Sequence, residues 1–149
     1  MPAMRLHEFL PYRLAVVAEA VSHALAAVYG KRYALSRDEW RVLAQLAEVD
    51  EIKTTELGAL TTLDKMQVSR ALKRLEADGM VERRIDDSDR RNLRVRLAPP
   101  GRSLYRRVVP MAQAREAFLL EALTEQERLT LVDLLDKLLA QARKLRDAG

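Results

Sequence analysis

The segment "LDKMQVSRALKRLEADGMVERR", Leu63–Arg84, limits the fold more than any other part of the chain. Its apolar residues Val68, Ala71, Leu72 and Leu75 fall on one stripe of a helix running from Lys65 to Ala77. Asp64 is placed to cap that helix, with Gln67 three residues on as its capping-box partner. Gly79 suits the left-handed position that ends it. Met80–Ile85 and Leu93–Leu97 then read as two strands around the polar turn "DDSDRRN". Leu93, Val95 and Leu97 alternate cleanly with Arg94 and Arg96, whereas Arg83 interrupts the pattern between Val81 and Ile85. Upstream, Thr54 or Thr55 opens a short helix, "TELGAL", and "TTLD" makes a turn. Two short helices, a four-residue turn and a hairpin describe a winged helix-turn-helix, placed here at residues 36–98.

Helices flank this lobe. Leu10, Leu14, Val17, Val21, Leu25 and Val28 recur at spacings of three and four, so a helix is expected from near Pro11 to an end at Gly30. Ser36 and Glu39 form a capping box for the next helix, with Leu35 and Trp40 at hydrophobic-staple spacing. That helix runs to about Ala47 and is expected to bury Trp40, Leu43 and Ala47. After "APPG", a long helix carries Leu104, Val108, Met111 and Phe118, with a kink or irregular turn expected at Pro110. Thr124 and Glu127 make a third capping box. Leu131, Leu135, Leu138, Ala142 and Leu145 then form a short heptad-like seam that wants a partner helix. The expected fold is mainly α with a small two-stranded β-wing, a single domain over 1–149 whose helices at 1–30 and 100–149 serve dimerisation.

Charge says where a partner belongs. The net charge is +4, and residues 65–96 hold ten Lys/Arg against six Asp/Glu, so the entire excess lies there. Such a local excess is either the footprint of a polyanion binder or a solvated face. On the recognition-type helix, Met66, Arg70 and Lys73 oppose the apolar stripe, flanked by Gln67, Ser69 and Arg74. Arginine pairs with guanine, glutamine with adenine, and apolar groups touch thymine methyls in a major groove. The tip of the hairpin carries Arg90 and Arg91, suited to a narrow minor groove. Acidic Asp86, Asp87 and Asp89 sit beside them, and Asp89 is expected to orient Arg91 or Arg83 rather than touch phosphate.

These residues resemble the DNA-binding core of MarR-type transcriptional regulators. The resemblance rests on a V-[ST]-R helix at Val68–Arg70, an L-E-x-x-G-[LM]-V-x-R junction at Leu75–Arg83 and a D-x-x-D-R-R wing at Asp86–Arg91. It implies that Lys65, Met66, Gln67, Arg70 and Lys73 line the recognition helix, and that Arg91, with Arg90, is the wing residue that reaches the minor groove. It also implies a homodimer on double-stranded DNA, at a pseudo-palindromic operator. "LAPPG" departs from the L-T-x-x-G common after the wing. Members often release DNA when a phenolic or other aromatic acid binds. Tyr12, Arg13, Tyr33, Trp40 and Arg41 lie in segments able to line such a pocket.

Other chemistry finds little support. There is no cysteine, so disulfides and thiolate metal sites are excluded. His7 and His23 do not converge on a helix, and no Gly-rich phosphate loop is present. No catalytic residue, metal or cofactor is expected. Apolar runs read as too short for a membrane span, and a cytoplasmic location is expected. The expected function is a ligand-responsive repressor; the alternatives are an activator of the same fold and a sequence-tolerant architectural DNA binder.

Overall fold

Three helices start on the same device. In each, a side-chain oxygen accepts from the backbone N–H three residues on, and that residue's side chain accepts in return. Ser36 and Glu39 do this at 3.1 Å each way, Asp64 and Gln67 at 2.8 and 2.9 Å, Thr124 and Glu127 at 3.1 and 2.9 Å. A cap of this kind contributes about 1 kcal/mol and fixes where a helix begins.

The computed structural model describes residues 2–149. After a 3-10 turn at Leu6–Glu8 come α1 (Leu10–Tyr33), α2 (Arg37–Ala47), β1 (Ile52–Lys53), α3 (Thr54–Thr61), α4 (Lys65–Ala77), β2 (Val81–Ile85), β3 (Leu93–Leu97), α5 (Pro99–Leu120) and α6 (Glu125–Ala148). The chain divides into two compact units, Met1–Ala112 and Gln113–Gly149.

In the first unit α2 is the hub. Its Val42, Leu43 and Leu46 are wholly buried, together with Leu57 of α3, Val95 of β3 and Val108 of α5, with Leu72 and Leu75 of α4 all but buried. Each such side chain contributes roughly 1.5–3 kcal/mol by leaving water. Trp40 and Ala47 are only partly buried, at the edge of this core. Gly79 takes φ +74° after the α4 C-cap, as its position suggests.

Several expectations need correction. Gly30 lies inside α1, and the left-handed residue that ends this helix is Ala34, whose N–H donates to the Gly30 carbonyl. The sheet has three strands, in order β1-β3-β2, because Ile52 and Lys53 pair with Val95 and Arg94. A two-residue strand has no alternation to read. α5 begins at Pro99 and is unbroken across Pro110, so the irregular turn does not form. Pro99 and Pro100 fall in the first turn, where a missing N–H costs nothing. α1 is long and apolar enough to cross a membrane by length and composition, with a mean hydropathy of 1.2. Its C-terminal part instead buries Val28 and Tyr29 in the lobe.

The second unit contains the end of α5 and all of α6. Leu131, Leu135, Leu138 and Leu145 of the heptad-like seam are exposed.

The joint between wing and α5 depends on a missing side chain. The Met80 carbonyl accepts from Ala98 N–H at 2.9 Å and faces Gly101. A Cβ at Gly101 would overlap that carbonyl oxygen and stand 3.2 Å from a Leu97 methyl. Gly101→Ala should therefore lower stability by about 3 kcal/mol, the upper end for overpacking against backbone. A denaturant midpoint unchanged from wild type would contradict this.

Candidate nucleic-acid interface and adjoining groove

Ten cations lie between residues 65 and 96, and the structure sorts them into two classes. Six are held by carboxylates. Arg74 pairs with Glu39 at 3.6 Å, Arg83 with Glu76 at 2.8 Å and Arg96 with Glu82 at 2.9 Å. Arg84 and Arg94 share Glu51 at 2.7 and 2.8 Å, with Asp87 also on Arg84. Arg91 is held by Asp89 at 3.1 Å. Among the described residues, Lys65, Arg70, Lys73 and Arg90 make no ion pair or hydrogen bond, and all four are exposed. The free cations are thus three on the outer side of α4 and one at the wing tip.

α4 presents the two faces expected. Val68, Ala71, Leu72 and Leu75 are buried, while Met66 is 65% exposed beside Lys65, Ser69 and Arg70. Gln67 is partly committed, since its side chain completes the Asp64 cap. Arg74 is drawn inward by Glu39 and donates weakly to the Ala34 carbonyl at 3.5 Å.

The wing is braced by acids. Glu51 accepts two bonds from Arg84, 2.9 and 2.7 Å, and one from Arg94, 2.8 Å. Those hydrogen bonds, from Arg84 first and Arg94 next, hold the Glu51 carboxyl below the usual range. Arg83 explains its odd place in the strand pattern. Its stem is half-buried between Val81 and Ile85, and its guanidinium forks onto Glu76 of α4 at 3.1 and 2.8 Å. Burial pushes the Asp86 carboxyl up, but bonds from Ser88 and the nearby Lys53 and Arg94 charges outweigh it, and the net shift is downward. Asp89 accepts from the Arg91 guanidinium at 3.1 and 3.3 Å and from its N–H at 3.1 Å. Arg83, the other candidate for Asp89, belongs to Glu76.

A groove of about 300 Å³ lies between α1 and α2, lined by Ala18, Val21, Ser22, Leu25, Tyr29, Arg37, Trp40 and Arg41. Of the five residues expected at a pocket, Trp40 and Arg41 line it, whereas Tyr12, Arg13 and Tyr33 do not. Tyr12 and Arg13 sit on the exposed first turns of α1, and Tyr33 packs against the core with Arg32 over its ring. Tyr29 and Arg37 were missed, although the three-to-four spacing places Tyr29 beside Leu25. Tyr29 and Tyr105 stack on Trp40 with centroids 5.6 and 6.0 Å away. Burial raises the Tyr29 hydroxyl's pKa against the opposing pull of Arg41 and Arg37.

Residues 35–93 match the MarR family. A MarR-family transcriptional regulator from Silicibacter pomeroyi superposes with a TM-score of 0.79 at 32% identity, over 92% of each chain. The chain belongs to the MarR family. It is 34% identical over 107 residues to an HTH-type transcriptional regulator of Bacillus subtilis, covering 70% of this chain. That match spans 63% of the relative, less than two thirds of its length. It is 28% identical over 113 residues to the homoprotocatechuate degradative operon repressor of Escherichia coli, covering 76% and 74% of the two chains.

The Glu51 brace has a defined pH response. A carboxyl whose pKa is lowered by folding stabilises above its unfolded value, and that stabilisation is lost as pH falls through the folded value. Wing amides near Arg84 and Arg94 should therefore exchange faster only below the ordinary carboxylate range. Glu51→Gln should show the faster exchange already at neutral pH, with α2 and α4 core amides unchanged. Equal wing protection in variant and wild type would contradict the brace.

Proposed function

We propose that this protein is a cytoplasmic, homodimeric, sequence-specific DNA-binding regulator that represses transcription from a pseudo-palindromic operator until a small aromatic acid releases it. The observation that carries the reading is the placement of the unpaired cations. Lys65, Arg70 and Lys73 on α4, together with Arg90 at the wing tip, are the charges left for phosphate and base edges. Met66 adds an exposed apolar group for a thymine methyl, and Ser69 and Gln67 add hydrogen-bonding groups. Arg91, held rigid by Asp89, is the preorganised wing arginine.

The exposed apolar faces support the dimer reading. The seam of α6 and the first turns of α1 expose Leu10, Leu14, Val17, Leu131, Leu135 and Leu138. A second copy covers them and sets two α4 helices one duplex turn apart, roughly 34–36 Å. Repression is then steric. The E. coli relative, a repressor of a degradative operon for a phenolic acid, supports the repressor reading and an aromatic-acid effector. The groove supplies the stacked Trp40 and Tyr29 rings and the cations Arg37 and Arg41 for such a molecule. The effector shifts the equilibrium only by its differential affinity for the released state.

Titrations of a selected operator and of random duplex at fixed salt test this reading. Arg70→Ala should weaken operator binding by about 1–3 kcal/mol per half-site and spare random binding. Equal losses would make Arg70 a phosphate contact, and equal wild-type affinity for both duplexes would favour the architectural alternative. Asp89→Ala should weaken binding although it removes a negative charge. Combined with Arg91→Ala, it should add little to the loss from Arg91→Ala alone. Tighter binding by Asp89→Ala would refute the positioning of Arg91.

A further inference from the structure

Arg41 borders two hollows. One is the groove shared with Trp40, Tyr29 and Arg37; the other, about 260 Å³, lies between α2 and the end of α3 and includes Leu60 and Thr61. Arg41 Nη1 donates to Thr62 Oγ1 at 3.2 Å, and that hydroxyl in turn donates to the Thr61 carbonyl at 2.5 Å. Thr62 is the left-handed residue, φ +63°, that ends α3. Two residues later Asp64 caps α4. Helix α2 also holds the far end of α4, through Glu39 and Arg74. It therefore grips the recognition helix at one end and the turn before it at the other.

We infer that the Arg41–Thr62 hydrogen bond is the joint through which an aromatic carboxylate bound beside Trp40 releases the recognition helix, with Thr62 as the positioning residue. The inference rests on the effector reading above. Arg41 now donates to a neutral hydroxyl, and a carboxylate makes charge-assisted, bidentate bonds about twice as strong. Arg37 has less to gain, because Glu19 already holds it at 3.0 Å. Once Arg41 turns to the groove, the turn loses a contact that holds a non-glycine residue in a left-handed conformation, which relaxes when unsupported. The N-terminal half of α4, with Lys65, Met66 and Arg70, then moves about its Arg74 anchor. The bond is solvent-exposed, so the expected effect is at the lower end of ordinary coupling between sites, about five- to tenfold.

Three variants of Thr62 isolate the hydroxyl. Thr62→Val keeps the shape but can neither accept from Arg41 nor donate to the Thr61 carbonyl, so the Arg41 share of its loss is read from the double variant with Arg41→Gln. Thr62→Gly lacks the hydroxyl and fits the left-handed turn without strain. Thr62→Ser keeps the acceptor. Affinity for a duplex selected by the wild type is measured at fixed salt, with and without homoprotocatechuate as the probe. Without probe, the Val variant should bind DNA about five- to tenfold more weakly, whereas Gly, which holds the left-handed turn without support, and Ser should bind as wild type does. The probe should weaken the wild type and barely affect Val and Gly. It should bind free Thr62→Val at least as tightly as wild type, because the coupling is reciprocal. A Val variant with wild-type DNA affinity would overturn the joint. A probe that neither binds the wild type nor changes its DNA affinity counts against the effector reading instead. The joint is then decided without probe: non-additive losses in Arg41→Gln and Thr62→Val support it, and additive losses overturn it.

Discussion

Glu51 holds two arginines, and the geometry of the wing follows from that. Arg84 lies on β2 and Arg94 on β3, directly paired across the hairpin. Two cations facing each other on adjacent strands repel. A carboxylate from the loop before β1 sits on both, at 2.7 and 2.8 Å, and turns the repulsion into a clamp. With β1 paired to β3 the clamp ties the hairpin to the end of α2, and the Arg83–Glu76 pair ties it to α4. The wing tip is thereby carried on a braced base, and its own Asp89–Arg91 pair is preorganised.

This bracing changes the meaning of the charge excess. Ten cations in one stretch suggest a broad basic surface, yet five are held by carboxylates elsewhere in the lobe, and a sixth, Arg91, is oriented by Asp89 at the wing tip. What remains is a small set of free charges at two places, the outer side of α4 and the tip of the wing. A pattern of that kind favours defined contacts over diffuse attraction, since paired charges contribute little to steering.

Local chemistry was legible in the chain. The capping boxes at Ser36, Asp64 and Thr124, the left-handed Gly79 and the apolar stripe of α4 all depend on neighbours within four residues, and each appears where its spacing places it; the alternation of β3 holds for Val95, Arg96 and Leu97 but not at Leu93, which is exposed. Long-range facts were not legible. Nothing near Ile52 marks a strand, because its partner Val95 lies far along the chain. Gly30 carries a stop signal that tertiary packing of Val28 and Tyr29 overrides. Which carboxylate holds which arginine depends on distances across 33 and 43 residues for Glu51. Arg37 and Tyr29 joined the groove only once α1 and α2 were packed together.

Helix α2 connects these parts. Its inner face forms the core, its outer face carries Trp40 and Arg41, and its Glu39 reaches Arg74 on α4. A ligand in the groove and DNA on α4, as proposed, would bear on the same few contacts. That connection has a function only if the free cations are the DNA face. The salt dependence of duplex binding measures this most directly. Each phosphate contact contributes about 0.9 to the slope of log affinity against log salt. Arg90→Ala, which removes an unpaired wing charge, should reduce the slope by about one per subunit. Arg96→Ala, which removes an arginine held by Glu82, should leave the slope near the wild-type value. Equal reductions in the two variants would contradict the division into free and paired cations.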